Sequence, residues 1–146
     1  MSDFAIPPLE ITDTQSLISH AELLDIVTYE LQGMRRSDSS YEDPDSMHVS
    51  CRQEEMRTEV RVRHRHVQDD ADLLADIAAV YEFDMPVKVL PKVMTEFVER
   101  VAIMTIIPFL REAIMTTAVR MGVSVPVLAM VRQGTIKLTL GSLTEE

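Results

Sequence analysis

VAIMTIIPFLREAIMTTAVRMGVSVPVLAM, residues Val101 to Met130, is the stretch on which the fold turns. It holds an apolar run, an internal proline, one Arg-Glu pair, a glycine and a Val-Pro segment. Pro108 suits the first turn of a helix, where a missing N–H has no partner to lose. Ile114, Met115, Ala118 and Met121 then recur at helical spacing, and Gly122 can adopt the left-handed conformation that ends a helix. Pro91 to Ile107 reads as a preceding helix, also opened by proline. Its apolar positions Met94, Phe97, Val98, Val101 and Met104 form a broad stripe. Two consecutive helices this apolar call for more cover than a small domain usually supplies.

Upstream, the clearest periodicity lies in Arg57 to His66. Thr58, Val60, Val62, His64 and His66 fall on one face, and Arg57, Glu59, Arg61, Arg63 and Arg65 on the other, as in a half-buried strand. Gln68-Asp69-Asp70 makes a turn. Ala71 to Met85 fits a helix or a strand by pattern alone; its VYEFDM end, and a hairpin with the preceding strand, favour the strand. From Ala21 the β-branched and aromatic content of Leu23, Val27, Tyr29 and Leu31 points to a further strand, and Met47 to Met56 is a weaker one. Thr14 is a plausible cap for a short helical turn. Residues 1–13, with Pro7 and Pro8, read as a loose lead-in, residues 35–46 as a polar loop whose one aromatic is Tyr41, and residues 139–146 as a short tail. Strands followed by helices imply an α+β domain with helices on one face of an antiparallel sheet.

Length and composition fit a single domain spanning residues 1–146. A formal net charge of −10 disfavours nonspecific binding to nucleic acid or to an anionic membrane. Cys51 is the only cysteine, so neither an intrachain disulfide nor a cysteine-based zinc site is expected. His64 and His66 point the same way along a strand, but no further ligand accompanies them at metal-site spacing, and they are expected to end its inward face. Gly-x-Ser-x-Gly is absent, and the four glycines are not clustered into a phosphate cradle. Hence no enzyme activity, cofactor or metal is expected. The start, MSDFAIPPLE, lacks the pattern of a signal peptide, and Val101 to Leu110 falls short of the roughly 20 apolar residues a membrane span needs. The expected location is the cytoplasm.

The segment PFLRE, Pro108 to Glu112, the helix to Arg120 and VPVLAM, Val125 to Met130, together resemble the SecB export-chaperone family. That family's pattern is proline, aromatic, any residue, Arg, Glu, a helix, then an apolar-Pro-x-Leu-x-Leu segment. Phe109 takes the aromatic place, and Leu128 and Met130 those of the leucines. ADIAAVYEFDM, Ala75 to Met85, looks like the family's last strand, and LDIVTYE, Leu24 to Glu30, like its first.

The resemblance implies a four-stranded antiparallel sheet followed by two C-terminal helices packed on one face. It implies a tetramer, a dimer of dimers, in which Met94, Phe97, Val98, Val101 and Met104 lie between subunits. The implied activity is an ATP-independent holdase that keeps non-native polypeptides unfolded in an apolar groove, here lined by Tyr81, Phe83, Met115, Ala118, Leu128 and Met130. Ten methionines suit such tolerance, because the side chain is unbranched and polarizable. The negative charge suits basic clients.

Two departures from the pattern bear on partners. The loop at Arg35 to Ser46 carries one aromatic where relatives often have several. Arg57, Arg61, Arg63 and Arg65 occupy the sheet face that is acidic in chaperones docking the secretion motor. The chain is therefore more similar to solitary SecB-like proteins, some of which protect an antitoxin, than to motor-docking ones. A different class of function, a dedicated protein that binds one folded partner on the same scaffold, fits the same residues.

Overall fold

In the computed structural model, which describes residues 7–37 and 45–127, four long strands form an antiparallel sheet. Its members are β2 (Ala21–Arg35), β3 (Asp45–Gln53), β4 (Arg57–Gln68) and β5 (Ala71–Phe83), in the order β2-β5-β4-β3. β5 is thus central, with β2 and β3 at the edges. A second, two-stranded sheet pairs β1 (Leu9–Ile11) in parallel with β6 (Val87–Val89). The short helix α1 (Thr14–His20) lies between β1 and β2.

The expected alternation in β4 is present. Thr58, Val60 and Val62 are fully buried and His64 nearly so, while Arg63 and Arg65 are exposed. The ambiguous run expected at residues 71–85 is a strand from Ala71 to Phe83 because both its edges are taken: each β5 residue opposite β4 also faces a β2 neighbour. Leu73, Ala75, Ile77, Ala79, Tyr81 and Phe83 turn to one side, where they join the main core. Leu74, Ala78 and Val80, on the other side, are also buried, which accounts for the near-continuous apolar pattern.

β3 runs Asp45–Gln53 rather than Met47 to Met56, so Arg35, Asp45 and Ser46 of the expected loop belong to strands, and three further boundaries differ from expectation. Residues 9–11, read as part of a loose lead-in, are a strand, since Leu9 N–H donates to the Pro86 carbonyl and Ile11 is fully buried. The cap of α1 is Asp13 rather than Thr14: its carboxylate accepts from the Ser16 N–H at 2.8 Å, leaving the Thr14 hydroxyl to donate to Glu96. The two C-terminal helices, α2 (Pro91–Phe97) and α3 (Ile103–Met121), meet at a π turn, Val98–Ala102, and not at Pro108. Pro108 sits inside α3 on its exposed side, where water can serve the Met104 carbonyl that loses its donor. Its fixed φ fits a helix interior as well as a helix start.

The rod formed by α2, the π turn and α3 lies across the inner face of the sheet. Phe97, Ile103, Ile106, Leu110 and Ile114 are the large side chains it buries there. Tyr81 of β5 meets Phe97 edge-to-face at 5.0 Å between ring centroids and donates its hydroxyl to Thr105 Oγ1 at 3.0 Å. Burial pushes the Tyr81 phenol above its ordinary value. Gly122 ends the rod in the left-handed conformation, φ 70°, and Arg35 donates to the otherwise orphaned Met121 carbonyl at 2.6 Å. Beyond it, Gln68 donates to the Ser124 carbonyl and Ser124 N–H to Asp70, tying the chain to the β4–β5 turn. That N–H is the main cause holding the Asp70 carboxyl below its ordinary value.

Candidate functional site: a cleft between the edge strand and the helix

Helix α3 has three faces. One is buried on the sheet. A second, with Pro108, Met115 and Val119 spaced seven and then four residues apart, is exposed to solvent. The third overhangs the β2 side of the sheet without closing on it, and a cleft of about 270 Å³ remains between them. Its floor is Ile26, Thr28 and Leu31 of β2 with Ile77 of β5. Its wall is Phe109, Ala113, Thr116 and Thr117 of α3, with Glu112 and Arg120 along the same wall.

The cleft exists because β2 carries more apolar surface than α3 covers. Leu23 and Leu31, on the inner side of β2, are exposed, as is Phe109 on α3, while Tyr29 and Met34 are exposed on the outer side of the sheet. Two register shifts in β2, at Leu23/Asp25 and Thr28/Glu30, break its alternation and turn Tyr29 to the outer side. There its ring lies under the Arg61 guanidinium, 4.2 Å from the centroid, and its hydroxyl donates to Glu59 at 2.6 Å. That hydrogen bond is the first cause raising the Tyr29 phenol above its ordinary value. The cleft's apolar floor, flanked by Phe109 and Ala113, by the hydroxyls of Thr28, Thr116 and Thr117 and by the charges of Glu112 and Arg120, can take an extended polypeptide largely through burial, at about 25 cal/mol per Å².

The groove residues expected from sequence fall in different places. Tyr81, Phe83 and Ala118 are buried inside the core, so they support the site from behind and present no surface to a ligand. Met115 is 41% exposed but belongs to the solvent stripe, on another side of α3 from the cleft. Leu128 and Met130 lie outside the described residues, as do Tyr41 and the tail at 139–146. Of the expected interface residues, Met94, Phe97 and Val98 are buried in the chain's own core, and Val101 and Met104 are half-buried. The apolar surplus inferred from sequence is therefore present, but on the second half of the rod and on β2. Ile26 and Leu31 were legible as strand residues and Phe109 as a motif aromatic; their meeting across a cleft was not.

On the outer face, the arginines are engaged. Arg61 pairs with Asp76 through two hydrogen bonds of 2.8 Å, Arg63 with Glu30 at 2.6 Å and Asp76 at 3.2 Å, Arg65 with Asp72, and Arg57 with Glu82 at 3.4 Å. Asp76, opposite Arg63 in the register and 1% exposed, is the hub. The Arg65 guanidinium holds the Asp72 carboxyl below its ordinary value. This is a neutralised ionic lattice, unlike the free cationic stripe that phosphate binding needs. His64 and His66 approach Asp45, at 3.7 Å and 2.5 Å, yet the described residues hold no cluster of three or more His, Cys, Asp or Glu able to bind a metal. Among them, no helix is long and apolar enough to cross a membrane.

Similarity to known proteins follows the same architecture. The SecB-like chaperone SmegB of Mycolicibacterium smegmatis is 33% identical over 127 residues, covering 87% of this chain and 86% of that protein. The chain belongs to the SecB-like chaperone family. A solved SecB-like chaperone of Mycobacterium tuberculosis, in complex with a ChAD peptide from the HigA1 antitoxin, superposes with a TM-score of 0.66, covering 82% of this chain and 96% of that one at 16% identity. It shares the α+β fold. No family model matches the chain.

Proposed function

We propose that this SecB-like protein is an ATP-independent holdase that binds non-native polypeptide segments in the β2–α3 cleft, acts without a catalytic step, and works in the cytoplasm. The observation that carries this reading is the open apolar cleft itself: aliphatic side chains of an edge strand left uncovered beside an overhanging helix. The M. tuberculosis neighbour, solved with an antitoxin peptide, supports a polypeptide as the ligand and favours one dedicated client, such as an antitoxin, among the possible ones. The exposed stripe of Pro108, Met115 and Val119, continued by half-buried Met104, is the surface we assign to homo-oligomer contacts, in place of Met94, Phe97 and Val98. Four chains of 16.5 kDa would give a tetramer of about 66 kDa.

The test is suppression of aggregation of a chemically denatured protein without nucleotide, comparing the wild type with Leu31→Asp. The wild type should suppress at near-stoichiometric ratio and the variant should not. A wild type that ignores denatured protein but captures one folded partner would favour the dedicated-binder alternative instead.

A further inference from the structure

The arginines of the outer sheet face are paired, but two charged residues that border the cleft are not. Glu112 and Arg120, both exposed, form no ion pair with another described residue; Glu112 accepts only a local hydrogen bond from Thr116 Oγ1 at 3.0 Å. They stand on the same wall with Thr116 midway, each four residues apart, and so project over one strip of the cleft. Eight residues of helix separate them by about 12 Å along the axis. An extended chain rises about 3.3 Å per residue, so the same distance spans three to four of its positions. The floor between them is apolar: Ile26, Leu31 and Ile77.

We propose that the cleft selects extended segments in which an apolar side chain lies between a basic and an acidic residue three to four positions apart, the basic one beside Glu112 and the acidic one beside Arg120. The inference rests on the reading of the cleft as a polypeptide site and adds a charge register to it. A chain of net charge −10 attracts cationic clients from a distance, whichever surface they then meet. The Glu112/Arg120 pair adds a demand for an acidic residue that long-range attraction would not make. Arg120 also stands in the last turn of α3, where a cation complements the helix terminus. That role affects stability and leaves discrimination between ligands untouched, so the two are separable.

The probe is a short, fluorescently labelled synthetic peptide with a central Ile-x-Leu, one Lys and one Glu at that spacing, against the same peptide with Gln at both charged positions. Both have equal net charge, so bulk attraction cancels. Exposed ion pairs are individually weak, and two of them together should give the wild type an approximately three- to tenfold tighter Kd for the charged peptide at low salt. The difference should shrink at high ionic strength. In the double variant Glu112→Gln, Arg120→Gln the two peptides should bind alike, at the wild type's Kd for the Gln peptide, with thermal unfolding confirming that the variant is folded. Equal binding of both peptides by the wild type overturns the charge register. So does a preference that survives in the double variant. If neither peptide binds, the cleft is not a polypeptide site, and the broader reading fails with this one.

Discussion

Gly33 lets the end of α3 come close to β2, and replacing it with alanine tests that packing directly. The residue lies on the inner face of β2 opposite Leu73, under the end of α3. A methyl group there would lie 2.1 Å from Met121 Sδ and 2.9 Å from Thr117 Cγ2, both well inside contact distance. Removing a glycine from a strand restricts the unfolded chain and stabilises by about 0.4–1 kcal/mol when the backbone permits it. Overpacking costs about 1–3 kcal/mol. Met121 can swing aside because its side chain is flexible, but Thr117 is branched close to the helix backbone and cannot, so the helix end must lift. Overpacking should therefore win by about 1 kcal/mol, lowering Tm by about 2–4 °C for a domain of this size. Thermal denaturation followed by circular dichroism measures it. Thr117→Ser removes the methyl that cannot move aside and keeps the hydroxyl bonded to the Ala113 carbonyl, so in that background Gly33→Ala should cost less than in the wild type. An alanine variant as stable as the wild type, or a cost unchanged by Thr117→Ser, would refute the close approach of α3 to β2.

Other expectations follow from the same geometry. Asp76→Ala should destabilise by about 1–3 kcal/mol in urea denaturation, since it strips charge-assisted partners from Arg61 and Arg63; these side chains are 42% and 44% exposed, which keeps the loss below that of a fully buried pair. His64 is held neutral by burial, which outweighs the nearby Asp45 and pushes its imidazole below the ordinary value of 6.5. The unfolded chain then binds the extra proton first, so this contribution to stability is complete above that value and is lost as pH falls through the window beneath it. His64→Gln should flatten the stability profile in that window, and an unchanged slope would contradict the assignment. Leu31→Asp, at a position 52% exposed, should leave Tm nearly unchanged while abolishing suppression of aggregation. Met115→Asp should reduce the mass in solution, read by light scattering, and spare peptide binding to the cleft.

Much of the sheet was legible because its chemistry is local. The alternation of Thr58, Val60, Val62 and His64 against the arginines leaves one register open, and a short turn at Asp69-Asp70 joins that strand to the next as a hairpin. β1 was not legible: three residues after two prolines become a strand only by pairing with Val87–Val89, far along the chain. The two register shifts in β2 hid its faces, because each exchanges the inner and outer sets. Pro108 misled because a helix start and the exposed side of a helix interior make similar demands on its φ. The amount of uncovered apolar surface could be read from composition and spacing. Its location could not, since Met94 and Met115 look alike in a periodic pattern and only the position of the sheet separates them.

The most direct measurement is site-specific photo-cross-linking to a denatured client. A photoreactive side chain at Thr116, on the cleft wall, should capture the unfolded polypeptide efficiently, while one at Ser50, on edge strand β3, should not. Equal capture at both positions, or none at Thr116 while the protein still suppresses aggregation, would place the client elsewhere and contradict the account.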